Sequence, residues 1–192
     1  TFGDTAESAY ERMIEQVSLA EAYIERGRTS VFIASNPIKT ASLSQVAPIV
    51  RGAVAEALGE GRYARFVLEH RSNPQVDAFV NGAEVADYAT RGVSTPDLVI
   101  RTKKKPLITS APQAGSLEAF RGDTKQQVTD YMADYNAYFA RCDALDDVAR
   151  TILDPMPRVA LVPGLGLFGM GRSQKEAKVA ADIAEIWIEA VT

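Results

Sequence analysis

The segment VALVPGLGLFGMGRSQKEA, from Val159 to Ala177, constrains the fold more than any other stretch of this chain. Arg158 to Val162 reads as a strand buried on both faces, apolar on successive residues rather than alternate ones. Gly164, Gly166, Gly169 and Gly171 follow it, and Ser173 with Glu176 then forms the S-x-x-E pattern that opens a capped helix. The first three glycines spell G-x-G-x-x-G, the outline of a dinucleotide loop. Two departures argue against that use. The fingerprint needs its glycines to open the helix directly, so that a pyrophosphate meets the helix N-terminus. Here the cap lies four residues beyond the third glycine, and the sequence reaches Thr192 before a second strand could supply the acidic ribose partner. The spacing favours a glycine-rich strand end where two backbones pack closely.

The same reading extends along the chain. Asp4 or Thr5 starts a helix over residues 6–26, with Glu7 three after Asp4 and an apolar stripe at Ala9, Met13, Val17, Ala20 and Ile24; Gly27 stops it. Ser30 to Ser35 leans towards a strand. Leu43 to Leu58 predicts a helix with Val46, Ile49, Val50, Ala53 and Leu58 inward, closed by Gly59. Tyr63 to Leu68 is an ambiguous apolar segment, Val76 to Val80 predicts a buried strand, and Glu84 to Thr90 a short helix. Pro96 opens DLVIRT as a further strand, with Lys103, Lys104 and Lys105 behind it. Ser110 to Asp123 predicts a loop, Asp123 the cap of a helix over residues 124–142, and Asp146 to Leu153 another short helix. Helices and strands mixed in this order imply layered α/β architecture.

Composition excludes some classes. Hydrophobic residues make up 46% and charged residues 24% of the 192, as in ordinary globular domains. A net charge of −4 does not favour nucleic acid or an anionic membrane, and no apolar run nears the roughly 20 residues of a bilayer span. The start, TFGDTAESAYERMIE, is polar and acidic, without the apolar stretch of a secretion signal. Cys142 is the one cysteine, which fits a reducing, cytoplasmic setting. His70 is the one histidine, so no histidine cluster and no nucleophile–histidine pair of the usual kind is readable. Asp143, Asp146 and Asp147 read as a helix start, and Tyr131, Tyr135, Tyr138 and Phe139 as a stripe for core or interface packing. On an extended DLVIRTK strand, Arg101 and Lys103 would share a face and suit an anion.

An internal echo adds to this. Aligning Thr1 with Gly169 puts Gly3 on Gly171, Thr5 on Ser173 and Ala9 on Ala177, a glycine followed by a capped helix in both places.

Both stretches resemble the end of a class II aldolase/adducin-type domain, in which a strand, an apolar stretch and a glycine lead into a capped C-terminal helix. HRSNPQVDAFVNGAEVADYATRG resembles the segment of that family that carries a His-x-His metal pair. The resemblance places the three metal-histidine positions at Asn81, Ala83 and Leu165, so it implies no metal here. TPDLVIRTKKKPLI and DPMPRVALVPGLGLFGMGRSQKEAKVAADIAE further resemble the region between the two parts of bifunctional rhamnulose-phosphate aldolase/alcohol dehydrogenases. The implied fold is a three-layer α/β/α class II aldolase-like domain with a mixed central sheet. Residues 1–28 would close a preceding aldolase domain, and residues 29–192 would form a degenerate, non-catalytic one. The resemblance implies flanking aldolase and short-chain dehydrogenase parts holding zinc and NAD, no cofactor in this chain, and a homo-oligomer. A second expectation is a phosphorylated-sugar site using Asn81, Arg101, Lys103, Gly166 and the helix start at Ser173.

Overall fold

A computed structural model describes residues 2–26, 39–59, 62–145, 147–148 and 150–192. The chain divides into two compact units, residues 1–31 and 32–192. The expected stop at Gly27 and the expected strand at residues 30–35 lie outside the described residues.

The first unit contains helix α1 (Ala6–Arg26), which buries none of its residues. Thr5 rather than Asp4 caps it. Ser8 N–H donates to Thr5 Oγ1 at 3.1 Å and Thr5 N–H donates back to Ser8 Oγ at 3.1 Å, a reciprocal pair with serine in place of the expected glutamate.

The second unit is built on a four-stranded sheet in the order β3 (Val67–Arg71), β6 (Gly166–Gly171), β5 (Val159–Val162), β4 (Leu107–Ile108). β3 and β5 run antiparallel to β6, and β4 runs parallel to β5, so the sheet is mixed. Strand periodicity sorts β5 into two cores. Ala160 and Val162 face helices α2 (Leu43–Ala53) and α6 (Leu117–Asp143), whereas Val159 and Leu161 face α3 (Pro74–Val80) and α7 (Gln174–Val191). On β6, Phe168 and Met170 join the first core and Leu167 the second. The result is the α/β/α layering that the sequence implied, with every residue of β5 buried.

Glycine lets α7 lie directly on β6. A Cβ on Gly169 would meet Ala177 O and Ala181 N, both at 2.4 Å, and one on Gly171 would meet Ala177 N at 2.5 Å. Close strand–helix packing is thus the use of the glycine pattern, as its spacing suggested. α7 covers this face with Ala177, Ala180, Ala181, Ala184, Trp187 and Ile188.

Several elements differ from expectation. α2 ends at Ala53, because Glu56–Gly59 leaves it as strand β1 and pairs antiparallel with β2 (Arg62–Ala64); residue 58 therefore lies on a strand and not in the helix. The ambiguous segment at residues 63–68 supplies parts of β2 and β3. Residues 76–80 belong to helix α3, not a strand. Asn73 Oδ1 accepts from Gln75 and Val76 N–H at 3.1 and 2.9 Å, Pro74 pre-sets the first turn, and Val76, Phe79 and Val80 recur at helical spacing. The short helix α4 (Val85–Tyr88) falls where expected. DLVIRT is likewise helical, as α5 (Pro96–Thr102), again with proline in the first turn. α6 begins at Leu117, seven residues before the expected start at Thr124, so Asp123 is inside it. Burial of Phe120 one turn before Thr124, whose hydroxyl donates to Phe120 O at 2.7 Å, carries the helix through Gly122 and Asp123. The described residues between 147 and 153 form no helix, so Asp147 caps none, and Asp146 lies outside the described residues; Asp143 pairs with Arg150 at 3.8 Å. No described helix is long and apolar enough to cross a membrane.

Candidate functional site

The site grows from the ends of α5 and α7. α5 closes on Lys103, whose backbone has φ 65° and ψ 179°, the one positive φ at a non-glycine among the described residues. Such a conformation costs about 1–3 kcal/mol and is kept where surrounding contacts over-determine it. Here the side chain supplies those contacts. It is 1% exposed, its Nζ donates to Asp154 O at 2.6 Å, and it lies 4.3 Å from the centre of the Tyr135 ring. Burial lowers the Lys103 pKa below that of an ordinary lysine, against the opposing pull of Asp154. Burial would raise the Asp154 carboxyl, but the Arg158 guanidinium hydrogen-bonded to it and the charge of Lys103 outweigh that effect, and the net shift is downward.

Across from Lys103 lies the start of α7. Ser173 Oγ accepts from Glu176 N–H at 3.2 Å, as expected of a cap, while Glu176 Oε2 reaches back to Arg172 N–H at 2.8 Å. Between the two ends opens a cleft of about 560 Å³. Arg101, Lys103, Arg158, Arg172 and Lys175 line it, against the two carboxylates of Asp154 and Glu176. Arg158 and Arg172 place their guanidinium carbons 4.8 and 5.4 Å from the centre of one buried ring, Phe66.

Of the five expected ligand residues, the structure gathers Arg101, Lys103 and Ser173 on this cleft and leaves two elsewhere. Asn81 caps the end of α3: its Nδ2 donates to Asp77 O at 2.8 Å and its Oδ1 accepts from Gly164 N–H at 2.7 Å. Gly166 has φ 104°, and a Cβ there would meet Arg71 O at 2.3 Å, so it is a hairpin glycine beside β3. Arg101 and Lys103 also reach the cleft differently than expected, from a helix end and not from one face of a strand. The lysine run divides, with Lys104 and Lys105 pairing with Asp134 at 2.9 and 3.1 Å.

Sequence reading missed Arg158, Arg172 and Lys175, although a signal existed. A helix start carries partial positive charge and favours anionic side chains. Arg172 and Lys175 flank the Ser173 cap with positive charge, beside the single favourable carboxylate of Glu176, and that excess was readable from the sequence.

The expected metal-histidine positions have other surroundings. Asn81 is committed as above, Ala83 is exposed, and Leu165 packs against the first core and accepts His70 Nε2–H on its carbonyl at 2.7 Å. His70 stacks at a tilt on Phe168, with ring centres 5.2 Å apart. Among the described residues, no three His, Cys, Asp or Glu side chains group as a metal site. The aromatic stripe is chiefly core: Tyr131 and Tyr135 are buried, and Tyr131 Oη donates to Lys105 O at 2.8 Å.

Comparison with known proteins places these features. The family described as "Aldolase class II, second domain" matches residues 41–192. The chain is 29% identical over 189 residues to the "Uncharacterized oxidoreductase YuxG" of Bacillus subtilis (strain 168), covering 94% of this chain and 26% of that protein. The chain thus spans about a quarter of that relative's length. No solved structure matches it.

Proposed function

Because the chain belongs to the aldolase class II, second-domain family, we propose that it serves as a module without a catalytic centre of its own within a longer protein. Residues 29–192 form the aldolase-like module, and residues 1–28 close a preceding class II aldolase domain. The parent acts in rhamnulose-phosphate or related sugar or aldehyde metabolism. Its aldolase part holds zinc, and its short-chain dehydrogenase part holds NAD. The small share of the oxidoreductase relative that the chain covers supports a modular role.

The observation that carries the reading is the commitment of Asn81. Both ends of its amide are used to join α3 to the Gly164 turn, and its neighbour in the expected metal set, Leu165, packs into the core. Neither position offers a zinc ligand. Metal analysis of the purified chain after zinc loading tests this directly. The expected content is well below one zinc per chain; stoichiometric zinc that is lost on substituting Asn81 or His70 would overturn the reading.

The cleft favours a second reading, in which the module holds a phosphorylated ligand without converting it. Arg101, Lys103 and the helix start at Ser173 converge there, and arginine with helix N–H groups suits phosphate.

A further inference from the structure

The cleft recognises more than charge. Among the described residues its cationic side chains exceed its carboxylates by three, counting Arg101, Lys103, Arg158, Arg172 and Lys175 against Asp154 and Glu176. The carboxylates are already engaged, Asp154 with Arg158 and Glu176 with the Arg172 N–H. Arg101 and Lys175 have no ion-pair partner among the described residues. Arg158, paired with Asp154, and Arg172 are held against the same Phe66 ring, which gathers positive charge on one wall of the cleft.

The uncharged lining differs from that of a sugar site. Among the described residues it consists of Ile100, Leu153, Met170, Val179 and Ala180, with Ser173 the one hydroxyl, and that hydroxyl already accepts from Glu176 N–H. Among the described residues, no amide, histidine or tyrosine side chain lines the cleft. Ile100 and Leu153 are 65% and 47% exposed, so aliphatic surface stands open to a ligand. A polyhydroxylated ligand would lose water from its hydroxyls there and find few neutral partners, which costs binding energy.

We propose that the cleft is a site for a phosphate monoester whose other half is apolar, with Arg172, Lys175 and Arg101 drawing the phosphate and the aliphatic wall of Ile100, Leu153 and Val179 covering the rest. The inference rests on the phosphorylated-ligand reading above and replaces a sugar with an apolar group as the body of that ligand. Binding lowers with rising salt, because the attraction is between exposed charges.

The test is calorimetric titration of the 192-residue chain at fixed ionic strength with three probes: inorganic phosphate, glycerol 3-phosphate and phenyl phosphate. Phenyl phosphate is expected to bind at least about tenfold more tightly than glycerol 3-phosphate. Arg172→Ala and Lys175→Ala change exposed residues, so the fold survives them, and each is expected to weaken all three probes by about tenfold. Ile100→Asn, at an exposed rim position, is expected to abolish the preference for phenyl phosphate and leave inorganic phosphate unaffected. Glycerol 3-phosphate binding as tightly as phenyl phosphate would overturn this inference and leave the phosphorylated-ligand reading standing. No binding of any probe, or binding indifferent to Arg172→Ala and Lys175→Ala, would overturn both.

Discussion

The two glycine-to-helix transitions of this chain begin alike and end differently. At α1, a Cβ on Gly3 would strike Ala9 N at 2.3 Å, and Thr5 caps through Ser8 N–H. At α7, a Cβ on Gly171 would strike Ala177 N at 2.5 Å, and Ser173 caps through Glu176 N–H. The aligned glycine and cap residue do the same work over the first turn, although the reciprocal bond goes to Thr5 N–H at α1 and to Arg172 N–H at α7. Beyond it the two part: α7 buries six residues on a sheet, and α1 buries none. A glycine, a cap and a first turn are local and can be written into a few residues. Burial depends on a partner surface, and β6 provides one for α7 within its own unit.

The largest effect that could break this contrast is the loss of a packed aromatic. Trp187 is 5% exposed, makes an edge contact with Phe79 at 5.1 Å and donates its indole N–H to Gly92 O at 3.1 Å. Trp187→Ala should cost about 3–5 kcal/mol in denaturant unfolding. Leu19, its aligned counterpart on α1, is 54% exposed, and Leu19→Ala should change stability by about 0.5 kcal/mol or less. Equal losses at the two positions would mean that α1 packs as α7 does.

A smaller effect is expected at the glycines. Gly171→Ala forces backbone apart between β6 and α7 and should cost about 1–3 kcal/mol, read from the unfolding midpoint of the main transition. Gly3→Ala presses on the start of α1 alone, so it should lower helix content by circular dichroism and leave that midpoint in place.

The smallest concerns pH, and it falls on the second unit. The hydrogen bond from Arg71 lowers the Glu69 carboxyl, and that from Lys104 lowers Asp134; Asp154 is lowered as well. A carboxyl depressed in the fold adds stability above its unfolded pKa, and that stability is lost as pH falls through the folded value. The unfolding midpoint should therefore drop as pH falls below the ordinary carboxylate values of 3.8 to 4.5, and Asp154→Asn should flatten part of that drop.

Much of the layering was legible because it is periodic. The Val159–Val162 strand, the cap at Ser173 and α1 follow from apolar spacing and cap chemistry alone. α3 and α5 were read as strands because their helical signal sits in one dipeptide each, Asn73–Pro74 and Thr95–Pro96, ahead of short apolar runs whose period is ambiguous. α6 runs through Gly122 and Asp123 because burial of Phe120 outweighs weak local propensity. The site was half legible. Arg101 and Lys103 stood out by charge, but Arg158 comes from before β5 and Arg172 from after β6, and only the sheet brings them to one ring. Asn81 looked like a ligand because a family position suggested it, whereas its amide bonds two backbone groups.

The most direct measurement is the intact mass of the natural polypeptide that contains this sequence, taken by mass spectrometry from its source. The account predicts a mass several times 20.8 kDa, with aldolase-like and dehydrogenase-like sequence on either side of the module. A mass of 20.8 kDa would contradict the modular role, leaving a free-standing protein whose function rests on the cationic cleft.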